Sequence, residues 1–260
     1  MKSKLQNKKL FLLDLDGTLY KGDSVFFPTK AFLESIKARG AKYLFITNNS
    51  SRGIVEYVKK LENMGLNVTK EDFYTSGSAT IDYLKTYYPN KKVYLVGTKA
   101  LAASFSDEGI NLVSYNEAEV AVLSYDTELN YKKITELTTL LREKDIPYLA
   151  TNPDYVCPVE NGYLPDCGSF AEMVNHAVNK MPVIIGKPAK LFVETVLTRY
   201  ELNKEDVVIV GDRLYTDLMA AINAEVDSVI VLTGEATLET IAEYKHKPTY
   251  VLNSIADIFN

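Results

Sequence analysis

Four short polar clusters in this chain carry residue types suited to phosphoryl transfer, and each stands directly behind a run of apolar residues. The first is Asp14-Leu15-Asp16-Gly17-Thr18. Two carboxylates one residue apart suit a divalent cation, which prefers hard oxygen ligands, and Gly17 permits a tight turn. The second, Thr47-Asn48-Asn49-Ser50-Ser51, offers hydroxyls, amides and backbone N–H groups ahead of a helical pattern, a set suited to phosphate oxygens. The third is Gly186-Lys187-Pro188, where one ammonium can neutralise both a phosphate and nearby carboxylates. The fourth, Gly211-Asp212-Arg213-Leu214-Tyr215-Thr216-Asp217, adds two carboxylates, of which Asp212 can complete a metal site and Asp217 support it from behind.

Each cluster alone has an ordinary alternative. An Asp-rich strand end can be a solvated turn, and Ser, Thr and Asn are the usual helix caps. A lone loop lysine is normally just hydrated, and Arg52 reads as an exposed helix arginine. Together they are harder to dismiss. Several carboxylates, one lysine and a set of neutral donors match a reaction in which positioning and charge neutralisation do most of the work.

The elements that must position these clusters read as an α/β protein with a mainly parallel sheet, because short β-branched and aliphatic runs alternate with amphipathic segments. The first strand is expected at Leu10 to Asp14. Thr29 is expected to cap a helix carrying Phe32, Leu33 and Ile36 on one face, with Gly40 ending it. Strand Tyr43 to Thr47 follows, then a helix turning Val55, Val58 and Leu61 inward, then a short strand Phe73 to Thr75. A second series has strands near Val93 to Val96, Val120 to Ser124 and Tyr148 to Thr151. The last third returns to the first style, with strand Val183 to Ile185, a helix around Phe192 to Tyr200, and strands Val207 to Val210 and Val229 to Leu232. The favoured organisation is one Rossmann-like core from both ends of the chain, residues 1–77 and 183–260, with residues 78–182 inserted as a second α/β domain. In such sheets ligands bind at the carboxyl ends of the strands, where all four clusters lie.

Composition narrows the function classes. The formal net charge is -5, from 29 Lys+Arg against 34 Asp+Glu, which argues against a broad basic face for nucleic acid. The apolar run Leu10 to Leu13, behind a basic start at Met1 to Lys9, is too short for a membrane span or signal peptide, so a cytoplasmic protein is expected. Cys157 and Cys167 lack nearby His ligands and read as ordinary thiols, and His176 and His246 group with nothing.

Taken in order, Asp14 to Thr18, Thr47-Asn48-Asn49, Gly186-Lys187-Pro188 and Gly211 to Asp217 resemble the motifs of the haloacid dehalogenase superfamily, in its p-nitrophenylphosphatase or NagD-like branch, over essentially the whole chain. The resemblance implies a magnesium-dependent phosphatase acting on a small organic phosphoester. Asp14 would attack phosphorus, and Asp16 would protonate the leaving oxygen and then activate water. Mg²⁺ would be held by Asp14, the Asp16 main-chain carbonyl and Asp212, with Asp217 orienting this shell. Thr47, Asn48, Asn49 and Lys187 would bind the phosphoryl group. The inserted domain would be the family's large α/β cap, with Asn152, Asp154, Asp166, Gly168 and Ser169 as candidates for specificity. Turns that merely connect elements would give the same residues, since Asn-Pro and Gly-Ser are common turn pairs. Where relatives often carry a small residue this chain has Asp166, a negative charge that would alter preference among anionic substrates. Nucleotide, sugar phosphate, phosphoglycolate and pyridoxal phosphate substrates stay open, as does a homodimer. The rival readings are a phosphonate-cleaving enzyme or phosphomutase on the same fold, and a catalytically silent phosphometabolite binder.

Overall fold

The computed structural model describes residues 2–159 and 162–259, so Met1 lies outside the described part of the basic start. The chain is an α/β protein that divides into two compact units. One comprises Met1–Thr47, Ile54–Tyr74 and Lys187–Asn260, the other Asn48–Gly53 and Thr75–Gly186.

The first unit is built on a six-stranded sheet in the order Tyr250–Leu252, Asp227–Val231, Val207–Gly211, Leu10–Leu13, Lys42–Thr47, Phe73–Thr75. Strand Leu10–Leu13 pairs in parallel with Val207–Gly211 on one side and Lys42–Thr47 on the other. It is buried throughout, as expected for a central parallel strand covered on both faces. The chain leaves this strand first to one side and later returns to the other, so a crevice opens beyond its carboxyl end. Phe11, Leu13, Phe45, Val208, Val210 and Val229, all within the strands, pack in the core beneath that end, each worth about 1.5–3 kcal/mol when fully buried.

Two local expectations are corrected. Helix Thr29–Ala38 is preceded by Pro28 at the cap position, and the Thr29 hydroxyl donates to Leu19 O at 2.7 Å, so Thr29 ties the helix to the preceding loop instead of capping it. Phe32, Leu33 and Ile36 are buried, and Gly40 takes the left-handed conformation with φ 73°. In helix Ile54–Asn63 the buried pair is Tyr57 and Leu61, one turn apart. That spacing sets the inward face, which leaves Val55 exposed and Val58 partly covered.

The second unit has its own parallel sheet, ordered Val183–Ile184, Tyr148–Ala150, Val120–Leu123, Lys92–Val96, Asn111–Leu112. Strand Val183–Ile184, expected in the core, pairs with Tyr148–Ala150 here. The passage between units therefore comes at Gly186 and Lys187, inside the third cluster. A short apolar run announces a strand without announcing its sheet, and Ile184 finds its packing against this unit's core. An antiparallel hairpin, Val156–Val159 with Gly162–Pro165, completes the unit and was not anticipated. Among the described residues no helix is long and apolar enough to cross a membrane.

Candidate active site

In the first unit, three of the four clusters contribute residues at the carboxyl ends of neighbouring strands. Asp14 follows Leu10–Leu13, and its N–H donates to Val210 O at 2.9 Å, which continues the sheet to the carboxylate itself. Gly17 turns the chain at φ 83° with its N–H on Tyr20 O at 2.8 Å. Asp16, on this turn, is exposed. Thr47 ends its strand, while Asn48 and Asn49 belong to the second unit.

Lys187 is almost completely buried, and its Nζ donates to Asp14 Oδ1 and to Asp217 Oδ1, each at 2.7 Å. Burial alone would drive an ammonium toward its neutral form, but the charges of Asp14 and Asp217 outweigh it and hold Lys187 above the usual lysine value. Asp217 is reached through a single π-helical turn, Leu214–Leu218, in place of the regular helix start expected from sequence. The wider turn carries its carboxylate back, where Oδ2 accepts the Arg213 N–H at 3.3 Å.

Asp212 is fixed from two sides. Its Oδ2 accepts the Glu235 N–H at 2.8 Å, and the Thr18 hydroxyl donates to Oδ1 at 3.4 Å. Backbone crowds in closely enough that a Cβ on Gly17 or Gly234 would fall 2.3 or 2.0 Å from Asp212 Oδ2, so both positions require glycine. Thr233 adds a hydroxyl that donates to Gly17 O at 2.6 Å. Thr18 belongs to the first cluster, whereas Thr233, Gly234 and Glu235 lie outside all four. The available signal was the polar break after the apolar run ending at Val231.

Among the described residues, Asp14, Asp212 and Asp217 form one group whose carboxylate oxygens lie within 4.8 Å of one another. Burial, and then the charge of Asp14, push Asp212 up to about 6, and the same two causes hold Asp217 well above the usual carboxylate range. The ammonium of Lys187 pairs with two of the three carboxylates, Asp14 and Asp217, so the group is short of positive charge. A divalent cation with oxygen ligands meets that shortage, and the residues fit it.

The haloacid dehalogenase-like hydrolase model matches residues 11–111, and a HAD-hydrolase-like model matches residues 184–258. The chain belongs to this haloacid dehalogenase-like hydrolase family. Within it, the chain is 31% identical over 246 residues to the acid sugar phosphatase of Staphylococcus epidermidis, covering 95% of each. It also superposes on the 4-nitrophenylphosphatase of Thermotoga maritima with a TM-score of 0.92 at 35% identity, covering 98% of each chain. The p-nitrophenyl phosphatase of Archaeoglobus fulgidus gives 0.89 at 29% identity, covering 97% of this chain and 98% of that one. This haloacid dehalogenase-like protein thus lies in the p-nitrophenylphosphatase and NagD-like branch and is an enzyme of the phosphoric monoester hydrolase class.

The candidates of the second unit form a network of their own. Asn152 is fully buried; its Nδ2 donates to Asp154 Oδ2 and Asp166 Oδ1, both at 3.0 Å. Asp154 Oδ2 also accepts Asn48 Nδ2 at 2.8 Å. Asp166 is buried and caps helix Cys167–Val178, accepting the Cys167 N–H. Its burial corrects the expectation of a charge presented to substrate, because both Asn152 and Asp166 are spent on holding the loop and the helix start. A Cβ on Gly168 would lie 2.2 Å from Pro153 O, and the Ser169 hydroxyl donates to Tyr155 O at 2.6 Å, so these two also fasten the turn. Cys167 is buried and Cys157 partly buried.

Burial raises Asp166 to about 6, with Asn152 and the Cys167 N–H opposing the shift. A carboxyl whose folded value exceeds its unfolded one stabilises below the unfolded value and loses that contribution as pH rises through the folded one. Asp166→Asn is expected to keep the cap, since Asn serves as well there, and to stabilise the protein by about 1–3 kcal/mol at pH 8 with no gain at pH 4. Thermal melts at the two pH values test this, and an equal change at both would refute it.

Proposed function

We propose that this enzyme is a magnesium-dependent phosphatase that hydrolyses small organic phosphomonoesters through a phosphoenzyme on Asp14. The observation that carries the reading is the Asp14 carboxylate, held at the end of the central strand by a buried lysine and gathered with Asp212 and Asp217.

In the first half-reaction a carboxylate oxygen of Asp14 forms a bond to phosphorus as the bond from phosphorus to the ester oxygen breaks. Asp16 gives its proton to the departing oxygen, so the alcohol leaves neutral. In the second, Asp16 takes a proton from water as that water attacks phosphorus, which frees phosphate and restores Asp14. Lys187 balances charge on Asp14 and the phosphoryl oxygens throughout. Thr47, with Asn48 and Asn49 next in the chain, is assigned to phosphoryl oxygens on donor chemistry. Asp14, the Asp16 main-chain carbonyl and Asp212 would hold Mg²⁺, with Asp217 behind them, and the ion supplies neutralisation of the transferring group's negative charge. Sugar phosphates head the substrate classes because the Staphylococcus epidermidis relative is named for them. Nucleotides, phosphoglycolate and pyridoxal phosphate follow.

Phosphate release from p-nitrophenyl phosphate and from alkyl phosphoesters, with Mg²⁺ or EDTA, tests this reading. Turnover should require the cation. In a single turnover Asp16→Asn should slow alcohol release from alkyl esters by about 10²-fold or more and p-nitrophenolate release much less, because nitrophenolate departs without needing a proton, while hydrolysis of the phosphoenzyme slows alike for both. Equal turnover in EDTA and Mg²⁺, or equal slowing of leaving-group release from both ester types, would contradict it.

A further inference from the structure

The Asp212 carboxylate depends on a loop, Thr233 to Ala236, whose own anchorage no catalytic role explains. Glu235 donates its N–H to Asp212 Oδ2 at 2.8 Å, and Ala236 donates its N–H to Asp212 O at 2.9 Å. The Glu235 side chain then turns back toward the residues that follow Asp212 in the chain. Its Oε2 lies 3.3 Å from Arg213 Nε and accepts the Tyr215 hydroxyl at 3.3 Å. The Arg213 Nε–H makes no hydrogen bond among the described residues, so this attraction is between charges. Arg213 in turn fixes Asp217 through its backbone N–H at 3.3 Å. One acidic side chain therefore closes a ring through Asp212, and Asp217 is tied to the same Arg213.

We propose that Glu235 and Arg213, with Tyr215, form a clasp of positioning residues that sets the affinity of the carboxylate site for its divalent cation. The inference rests on the reading that Asp14 and Asp212 hold such a cation. The pair is partly exposed, Arg213 at 31% and Glu235 at 54% of the side chain, and an ion pair so hydrated contributes little to global stability. Its consequence lies in orientation. With Oδ2 of Asp212 tied to the loop N–H and Oδ1 accepting only the longer Thr18 bond at 3.4 Å, Oδ1 would be the oxygen left to a cation, and loosening the loop would free the carboxylate to rotate.

A charge effect and a clasp make opposite predictions for one variant. If only charge mattered, Glu235→Gln would weaken Mg²⁺ binding while Arg213→Gln would tighten it, because the first removes a negative and the second a positive neighbour. If the clasp acts, both weaken it. Mg²⁺ titrated calorimetrically into metal-stripped protein should show Kd raised about tenfold in each variant, the scale seen when groups that orient metal ligands are lost. The double variant should be no weaker than either single one, since the clasp is already open. Melting of the metal-free protein should be unchanged, which separates this from a folding defect. Unchanged or tighter binding in Arg213→Gln, or singles whose effects multiply in the double, would overturn the clasp. No Mg²⁺ binding by the unaltered protein would overturn the cation reading, and the clasp with it.

Discussion

Asp14→Asn is expected to reduce phosphate release by about 10⁴-fold or more, from p-nitrophenyl phosphate and alkyl esters alike. The two side chains have nearly the same shape, but the amide is neutral and cannot become an aspartyl-phosphate. The variant should still fold. The Asp14 N–H still reaches Val210 O, and Lys187 keeps Asp217 at 2.7 Å as a partner, so no buried ammonium is stranded. The loss also removes the charge that does most, after burial, to raise Asp212 and Asp217. Crowding of like charges should ease. Phosphate release at saturating Mg²⁺, with circular dichroism as the check on folding, decides the matter. Retention of a tenth of the activity would mean that another group attacks phosphorus.

The four polar clusters were legible because each couples two independent signals, an apolar run and a polar break at its carboxyl end. Asp14 and Asp212 sit together because the strands that precede them, Leu10–Leu13 and Val207–Gly211, are neighbours in one sheet. Glu235 also stands behind an apolar run, the strand ending at Val231, but its segment offers no residue pattern that sets it apart from an ordinary connection. Thr233-Gly234-Glu235-Ala236 reads as a common turn, and its bond to Asp212 spans 23 residues. Strand Val183–Ile184 was misplaced for a related reason, since two apolar residues cannot announce which of two parallel sheets they join. The hairpin Val156–Val159 with Gly162–Pro165 escaped because each strand contains a proline, which argues against a strand interior, and because Val156, Val159, Tyr163 and Leu164 are all exposed. Without one buried face there is no alternation to read. Asp166 shows the reverse error. Its charge suggested a substrate contact, whereas its place before Cys167–Val178 made it a helix cap.

Lys187→Met should cost both stability and activity, and the two losses should respond differently to a cation. Asp217 is buried to 1% of its side chain and Lys187 to 3%, so removing the ammonium leaves a buried carboxylate without its counter-charge. Stranding one member of a buried pair costs about 3–5 kcal/mol. Asp14, at 15%, loses the same partner. Deprived of Lys187, Asp217 should titrate higher still, because the group opposing its burial is gone. Its folded value then lies further above its unfolded one. The folded form keeps the proton longer, and stability present in acid is lost as pH rises through that value. The metal-free variant should therefore melt at a higher temperature at pH 5 than at pH 8. Added Mg²⁺ should recover part of the stability at pH 8 by supplying the missing positive charge near Asp14 and Asp212. It should not recover the rate, since a cation on those oxygens leaves the phosphoryl side without the ammonium, and a loss of about 10²–10³-fold in kcat is expected to remain. Melting curves at the two pH values, with and without Mg²⁺, measure the first half and phosphate release the second. A pH-independent loss of stability would show that Lys187 serves packing alone, and full recovery of kcat by Mg²⁺ would remove it from the reaction.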